Sequence, residues 1–186
     1  MIDRRTFLAG TGAVLLAAPL AAEAQQAGRV YRVGHLSSLD GPNVNDAAFW
    51  EKLRELGWVE GKNITVEHRY GGRNLERMAT SAADLAHMPV DLFFTNGAVE
   101  VPQAAKNATK TIPIVFVTAG DPVATGLVAS LSRPRANITG LSSMNTIWSR
   151  PMLRWAAISA RDWLLGLQPT RRIEKSSRRS TMWGCV

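Results

Sequence analysis

Residues 111–143, TIPIVFVTAGDPVATGLVASLSRPRANITGLSS, decide the fold, because they contain two predicted strands and the loop between them. Residues 112–117 form an apolar run rich in β-branched side chains, which is typical of a strand buried on both faces. The Gly-Asp-Pro sequence at 120–122 interrupts this run, and its proline suits the first turn of a helix. A second short strand is predicted from Asn137 to Gly140.

The loop after the first of these strands is a candidate binding edge. In open parallel sheets, ligands bind beyond the carboxyl ends of the strands, which is where Gly120 and Asp121 are expected to lie. Two interpretations remain open for this loop: a ligand-binding edge and an ordinary connection between a strand and a helix.

Strand and helix signals alternate along residues 29–143, about 115 residues, which is enough for one sheet with its core. Five strands with helices between them predict an α/β fold, a Rossmann-like doubly wound parallel sheet. The predicted strands are 30–36, 63–70, 90–94, 112–117 and 137–140; the predicted helices are 45–56, one capped by Asn74 that runs through Ala86, 99–108, and one from Pro122.

The first 24 residues are predicted to be an export signal. Arg4 and Arg5 precede a short apolar stretch, and an A-x-A cleavage site ends at Ala24. The stretch is too short to span a bilayer. The paired arginines resemble the twin-arginine export motif, and an ordinary secretory signal is the alternative. The single cysteine, Cys185, leaves no lipidation cysteine at the cleavage site and no internal disulfide, so a periplasmic protein without a stable membrane anchor is expected.

Composition changes abruptly near Asn145. Residues 1–147 hold 14 Lys+Arg against 13 Asp+Glu, a net charge of +1, whereas residues 148–186 hold 8 against 2, a net charge of +6, and four of the six tryptophans. We therefore expect residues 145–186 to be a poorly ordered tail read from a shifted frame. Two alternatives remain open: a basic segment for an anionic surface, and a helix after Pro151 with Met152, Trp155, Ile158 and Trp163 on one face.

Several phrases in order resemble one family. They are LRELGWVEGKNI at 53–64, TIPIV at 111–115, GDPV at 120–123, GLVASL at 126–131 and NITGLS at 137–142. Together they are similar to ABC-transporter substrate-binding proteins of the type that includes tryptophan- and tyrosine-binding members. The resemblance implies the first lobe, residues 25–144, of a type I periplasmic binding protein. It also implies a small-molecule solute, with an aromatic amino acid as a candidate, and ABC permease subunits as partners.

The resemblance places the ligand at the carboxyl ends of three strands. Hydroxyl groups, an amide and N–H groups at helix N-termini can hold a carboxylate or another polar group there. Asp121 has the alternative role of capping the helix predicted from Pro122. The family usually has a glycine pair where this chain has Arg135 and Ala136. The residues implied in ligand binding are Ser37, Ser38, Asn96, Gly97, Ala98, Thr118, Gly120 and Asp121.

No catalytic, metal or cofactor site is predicted. The three histidines lack metal-ligand spacing, and His35 at the end of a strand is interpreted as a packed or hydrogen-bonded residue. There is neither a nucleophile elbow nor a phosphate-binding loop. An exported single-lobe enzyme is the alternative function, and no recognisable nucleic-acid module surrounds the basic residues of the tail. A single lobe is expected to show no measurable affinity for aromatic amino acids in calorimetry, and low-micromolar binding would contradict this.

Overall fold

The structure is a computed structural model that describes residues 29–130, 137–143, 150–166 and 174–176. The predicted export signal, Arg135, Ala136 and Cys185 lie outside these ranges. Within them strands and helices alternate as the sequence predicts. The elements are β1 Tyr31–Ser37, α1 Val44–Glu55, β2 Ile64–Tyr70, α2 Leu75–His87, β3 Leu92–Ala98, α3 Glu100–Ala108, β4 Ile114–Ala119, β5 Ile138–Ser143, α4 Arg150–Leu164 and β6 Glu174–Ser176.

All strands pair in parallel in one sheet of order β2-β1-β3-β4-β5-β6. The order reverses between β1 and β3, where the chain leaves in opposite directions. Such a reversal opens a crevice at the carboxyl edge of the sheet, and ligands of doubly wound proteins bind in that crevice. The fold class predicted from sequence is therefore confirmed.

Helices cover both faces of the sheet, and each face has its own apolar core. On one face Phe94 packs in a cluster with Phe49 and Leu53 of α1. On the other face Phe93 packs in a cluster with Leu85 of α2 and with α3 residues. Consecutive strand residues point to opposite faces, so the uninterrupted apolar runs in the sequence follow from burial on both sides.

Asparagine caps set the starts of two helices. The Asn43 side chain accepts from the N–H groups of Asn45 and Asp46, and the Asp46 side chain accepts from the Asn43 N–H in return, which forms a capping box. Asn74 caps α2 by accepting from the Arg77 N–H at 2.9 Å, as the sequence predicts. Gly57, with φ +90°, follows the end of α1.

The prediction of a helix from Pro122 is wrong, because residues 122–126 form turns. The carboxylate of Asp121 accepts from the N–H groups of Val123 at 2.9 Å and Ala124 at 3.2 Å. Five residues after Asp121, Gly126 has φ +69°, a left-handed conformation that ends the turn before a helix can propagate. Asp121 thus caps a turn in place of a helix.

The segment after residue 144 contains a packed helix, which differs from the expected poor order. In α4 the residues Leu153, Ala160 and Leu164 are buried in the cluster that includes β4 and β5 side chains. The buried stripe is not the face proposed from sequence, since Trp155 and Trp163 lie at its margin. None of the helices within the described ranges is long and apolar enough to cross a membrane. The division of the chain at residue 144 stays a prediction.

Candidate functional site

The predicted site residues lie at the adjoining carboxyl ends of β1, β3 and β4. In the sheet register Ser37 is the partner of Asn96, and Gly97 is the partner of Thr118. Gly120 follows the end of β4. The structure therefore brings the three predicted segments together at the point where the strand order reverses.

Ser38 and Gly97 form one interlocked turn. The Ser38 N–H donates to the Asn96 carbonyl at 3.4 Å, and the Ser38 hydroxyl accepts from the Ala98 N–H at 3.3 Å. Gly97 has φ +117°, and a Cβ atom there would collide with the Ser38 side chain. Only glycine fits both the conformation and the space. The hydroxyl of Ser38 is therefore part of the frame of the edge.

Thr118 holds the other side of the same turn. Its hydroxyl donates to the Gly97 carbonyl at 3.0 Å, and its side chain is fully buried. On the next strand the hydroxyl of Ser142 donates to the Gly120 carbonyl. Sequence reasoning did not assign Ser142 to the site; its position at the end of the fifth predicted strand is the signal that was available.

The side chain of Asn96 points into the protein. Its NH₂ group donates to Asp46 of α1, and its carbonyl oxygen lies 3.4 Å from Nε2 of His35. Both ends of the amide are thus engaged below the edge. The sequence implied an amide turned toward a ligand, whereas the structure uses this amide to connect β3 with β1 and α1.

His35 lies fully buried beneath the edge, which confirms its interpretation as a packed, hydrogen-bonded residue. Its ring stacks against Phe94 and meets Trp50 and Tyr70 edge to face. Burial first, and then the neighbouring His68, lower the pKa of His35 to about 3. A neutral imidazole in this position can act as donor at one nitrogen and as acceptor at the other.

Asp46 is the carboxylate of this buried region and is 2% exposed. Burial raises its pKa, and hydrogen bonds from Asn43 and Asn96 act in the opposite direction. All the groups that face its oxygens at hydrogen-bond distance are donors. The ionised form therefore suits the site, because a carboxylate only accepts.

Helix α3 adds a group with a preference for anions at the same edge. It starts at Glu100, directly after β3, and its N-cap Val99 makes no side-chain hydrogen bond. No cap side chain satisfies the N–H groups of the first turn, and the positive end of the helix dipole lies at the edge. The first turn also carries the acidic side chain of Glu100, and its Pro102 has no N–H group. A carboxylate is a suitable partner for such a helix end.

The remaining predicted residues differ in accessibility. Ala98 is exposed, and Gly97, Gly120 and Asp121 are half-buried, whereas Ser37 is fully buried. The oxygen of the Ser37 side chain lies 3.3 Å from the Leu39 N–H, which donates to it. The side chains of Ser37, Asn96 and Thr118 are thus buried and not open to a solute. No group of three or more metal-ligating side chains is found in the part of the chain that the structure describes.

Comparison with curated proteins finds one relative with assigned binding activity. A protein of Clostridioides difficile described as a tyrosine-binding protein is 31% identical over 119 residues, which are 62% of this chain and 34% of that protein. The chain thus spans about a third of the length of this relative.

Solved structures share the fold. The ligand-free, open structure of a substrate-binding protein with adhesive properties from Clostridium difficile superposes with a TM-score of 0.58 at 23% identity, over 79% of this chain and 57% of that one. A conserved domain protein from Vibrio cholerae gives a TM-score of 0.60 at 20% identity, over 80% and 57%. An ABC domain in complex with L-Trp from Streptococcus pneumoniae gives 0.57 at 17% identity, over 79% and 57%.

The family match covers most of the described sheet. The model of the family described as ABC transporter substrate binding protein matches residues 36–152, more than half of the 186 residues. The matched range contains the ends of β1, β3 and β4 together with the segments that connect them. The chain belongs to the family of ABC transporter substrate-binding proteins.

Proposed function

We propose that this chain supplies the first, ligand-contacting lobe of an exported solute-binding protein that serves an ABC importer. The observation that carries the proposal is the meeting of Ser38, Gly97 and Thr118 at the carboxyl edge where the strand order reverses. This edge is where doubly wound folds bind small molecules. Membership of the substrate-binding family supports a solute as the ligand.

We propose a small ligand with a carboxylate, and an aromatic amino acid as the first candidate. The start of α3 beside the edge favours a carboxylate. One relative is described as tyrosine-binding, and one structure of the same fold holds L-Trp, which makes these two amino acids the first probes. Peptide N–H groups of the turns at Gly97 and Gly120 would contact the carboxylate, while Ser38 and Thr118 hold the turns.

Binding by one lobe is expected to be weak. A ligand with a Kd of about 1 μM gains about 8 kcal/mol from its whole site, and half of that energy corresponds to a Kd of about 1 mM. A second lobe would supply the other contacts and the closure that a transporter detects. Isothermal calorimetry of the chain with L-tryptophan and L-tyrosine should therefore show no low-micromolar binding. A Kd in the low micromolar range would contradict the one-lobe proposal.

Export remains a proposal that rests on residues 1–24. Cells that express the full chain should release a product beginning near Gln25 with the periplasmic fraction. Replacing Arg4 and Arg5 together by lysine should stop export if the twin-arginine route is used, and should leave it unchanged if the general secretory route is used. Full-length product found only in the cytoplasm of wild-type cells would contradict export by either route.

The shifted-frame interpretation of residues 145–186 also remains a proposal. Its support is the abrupt rise in net charge and tryptophan content after residue 147. The family match that extends to residue 152 and the packed helix α4 favour the alternative, a tail that folds. Resequencing the DNA across codons 140–190 and beyond distinguishes the two. A shift near codon 145 that opens a frame for a second lobe supports the first interpretation, and an unshifted frame supports the second.

The enzyme alternative has no support from the site. The polar side chains of Ser37, Ser38, Asn96 and Thr118 are engaged with backbone groups or with other side chains. Turnover of an ester or amide substrate by the purified chain, abolished by Ser38→Ala, would revive it.

A further inference from the structure

Four buried or half-buried side chains from four elements form one hydrogen-bonded chain under the candidate edge. Asp46 of α1 accepts from the NH₂ of Asn96 on β3, and the Asn96 oxygen lies 3.4 Å from Nε2 of His35 on β1. Nδ1 of His35 then lies 2.8 Å from Nδ1 of His68 on β2. The chain is continuous from the first helix to the edge strand of the sheet.

The carboxylate of Asp46 determines which group donates and which accepts at each step of the hydrogen-bonded chain. Asp46 only accepts, so the NH₂ group of Asn96 must face it, and the Asn96 oxygen must face His35. Nε2 of His35 therefore carries a hydrogen, and its Nδ1 is an acceptor because the ring is neutral. The hydrogen between the two rings then belongs to Nδ1 of His68, which donates to His35.

Asn96 also connects this hydrogen-bonded chain of side chains to the backbone of the candidate edge. The Asn96 carbonyl accepts from the Ser38 N–H, and the next residue, Gly97, is held by the Thr118 hydroxyl. Asn96 is thus fixed from below through its side chain, while the turn that it begins is fixed from both sides. A shift of its amide would move the Gly97 and Ala98 peptides.

We propose that Asp46 is a positioning residue for the ligand edge: through Asn96 it fixes the Gly97–Ala98 turn, and through His35 it fixes the tautomers of two histidines. The proposal rests on the proposed function in that the edge is the ligand site. Asp46 itself touches no ligand, because it is buried beneath the turn.

The substitution Asp46→Asn tests the order of donors and acceptors along the hydrogen-bonded side chains without removing the helix cap. Asn43 presents two donors, its N–H at 3.3 Å and its NH₂ at 2.7 Å, to one oxygen of Asp46, whereas Asn96 presents one donor to the other oxygen. The new amide therefore turns its oxygen to Asn43 and its NH₂ to Asn96. Asn96 must then rotate its own amide, and an NH₂ group faces His35.

This rotation inverts the tautomers of both histidines, so that each ring carries its hydrogen on the other nitrogen. Nε2 of His35 becomes an acceptor, its Nδ1 carries the hydrogen, and His68 is left with its hydrogen on Nε2. The double variant Asp46→Asn/Asn96→Asp restores the original direction, because a carboxylate at position 96 accepts from residue 46 and from His35. A merely structural role of Asp46 predicts neither the inversion nor the restoration.

The experiment is ring ¹H–¹⁵N NMR of the full chain at pH 8, where an ordinary histidine is neutral. The chain has three histidines, and the third is an internal reference: Nδ1 of His87 lies 2.7 Å from the Ala83 carbonyl, so it must carry a hydrogen. We expect hydrogen on Nε2 of His35 and on Nδ1 of His68 in the wild type, both inverted in Asp46→Asn and both restored in the double variant. Asp84→Asn, at an exposed position of α2, is the matched control and should change neither ring.

Amide hydrogen exchange on the same samples measures the positioning. Asp46→Asn replaces the charge-assisted hydrogen bond between Asn96 and a carboxylate by a weaker bond between two neutral amides. It should therefore speed exchange at Gly97 and Ala98 by about tenfold and leave the core of β4 unchanged. A wild-type spectrum with hydrogen on Nδ1 of His35 overturns the proposal even if the variant does not fold. Unchanged rings, or exchange that rises equally throughout the sheet, also overturn it.

A titration with L-tryptophan separates this proposal from the proposed function. Inverted rings and faster exchange at Gly97, with no amide shift at the edge on adding L-tryptophan to the wild type, would confirm the positioning role and contradict the aromatic amino acid as ligand. Amide shifts at the edge that Asp46→Asn leaves unchanged, with unchanged rings, would support the ligand and overturn the positioning role.

Discussion

Replacing Leu153 by alanine tests whether helix α4 belongs to the folded lobe. Leu153 is 2% exposed and lies in the cluster that contains Val117 and Leu141. The substitution removes three buried carbons at about 0.8 kcal/mol each, and the cavity that remains brings the expected loss in the free energy of unfolding to about 2–5 kcal/mol. If the free energy of unfolding falls by about 2 kcal/mol for each 1 M urea, the unfolding midpoint should fall by about 1–2.5 M.

The matched control is Arg154→Ala at the next, exposed position of the same helix. It should move the midpoint by less than about 0.3 M, because exposed substitutions change stability by less than about 0.5 kcal/mol. Urea unfolding of the three chains, followed by circular dichroism, provides the comparison. Equal midpoints for all three would show that α4 does not pack on the sheet, and would return residues 145–186 to the poorly ordered tail expected from composition.

Three further predictions concern the edge and the groups beneath it. Gly97→Ala places a side chain at φ +117° against Ser38 and should lower the free energy of unfolding by about 1–3 kcal/mol. The control Gly41→Ala has open space around the added methyl group and should change it by less than about 0.5 kcal/mol. Equal losses for the two variants in urea unfolding would refute the crowding argument. Asn43→Ala removes the cap of α1 and should cost about 0.5–2 kcal/mol in the same assay, and no loss would contradict the capping box. The folded pKa of His35, about 3, lies below the value of 6.5 for an ordinary histidine, so the unfolded chain takes up a proton as the pH falls from 6.5 to 3 and the folded chain does not. This contribution to stability is present at neutral pH and is lost over that range, while the raised pKa of Asp46 acts with the opposite sign. The urea midpoint should therefore fall more between pH 7.5 and 4.5 for the wild type than for His35→Gln, and equal slopes would contradict a neutral buried His35.

The sheet could be predicted from sequence because each strand is an apolar run bounded by turn residues. The predicted and observed elements agree best where local chemistry and burial favour the same structure, as at Asn74, which caps α2 as predicted. The third strand is longer than its apolar run, because Thr95 and Asn96 continue it as buried polar residues. Hydrophobicity alone ends the strand at residue 94, since it does not register a buried amide such as that of Asn96, whose hydrogen-bond partners lie on other elements.

The site could be predicted only as a location. Strand ends are visible in the sequence, and they placed Ser38, Gly97 and Thr118 at one edge. The partners of Asn96 were not visible, because Asp46 is fifty residues away in a helix whose start resembles an ordinary cap. The same limit explains the turn after Pro122, where the conformation of Gly126 outweighs an apparently helical sequence.

The proposed function requires that an aromatic amino acid binds at the carboxyl edge of this lobe. Its most direct test is a titration of the uniformly ¹⁵N-labelled chain with L-tryptophan, followed by backbone amide shifts. Saturable shifts are expected at residues 37–38, 96–98 and 118–121, with a Kd of about 1 mM for one lobe. Shifts confined to the opposite edge of the sheet, or none up to the solubility limit of the amino acid, would contradict it.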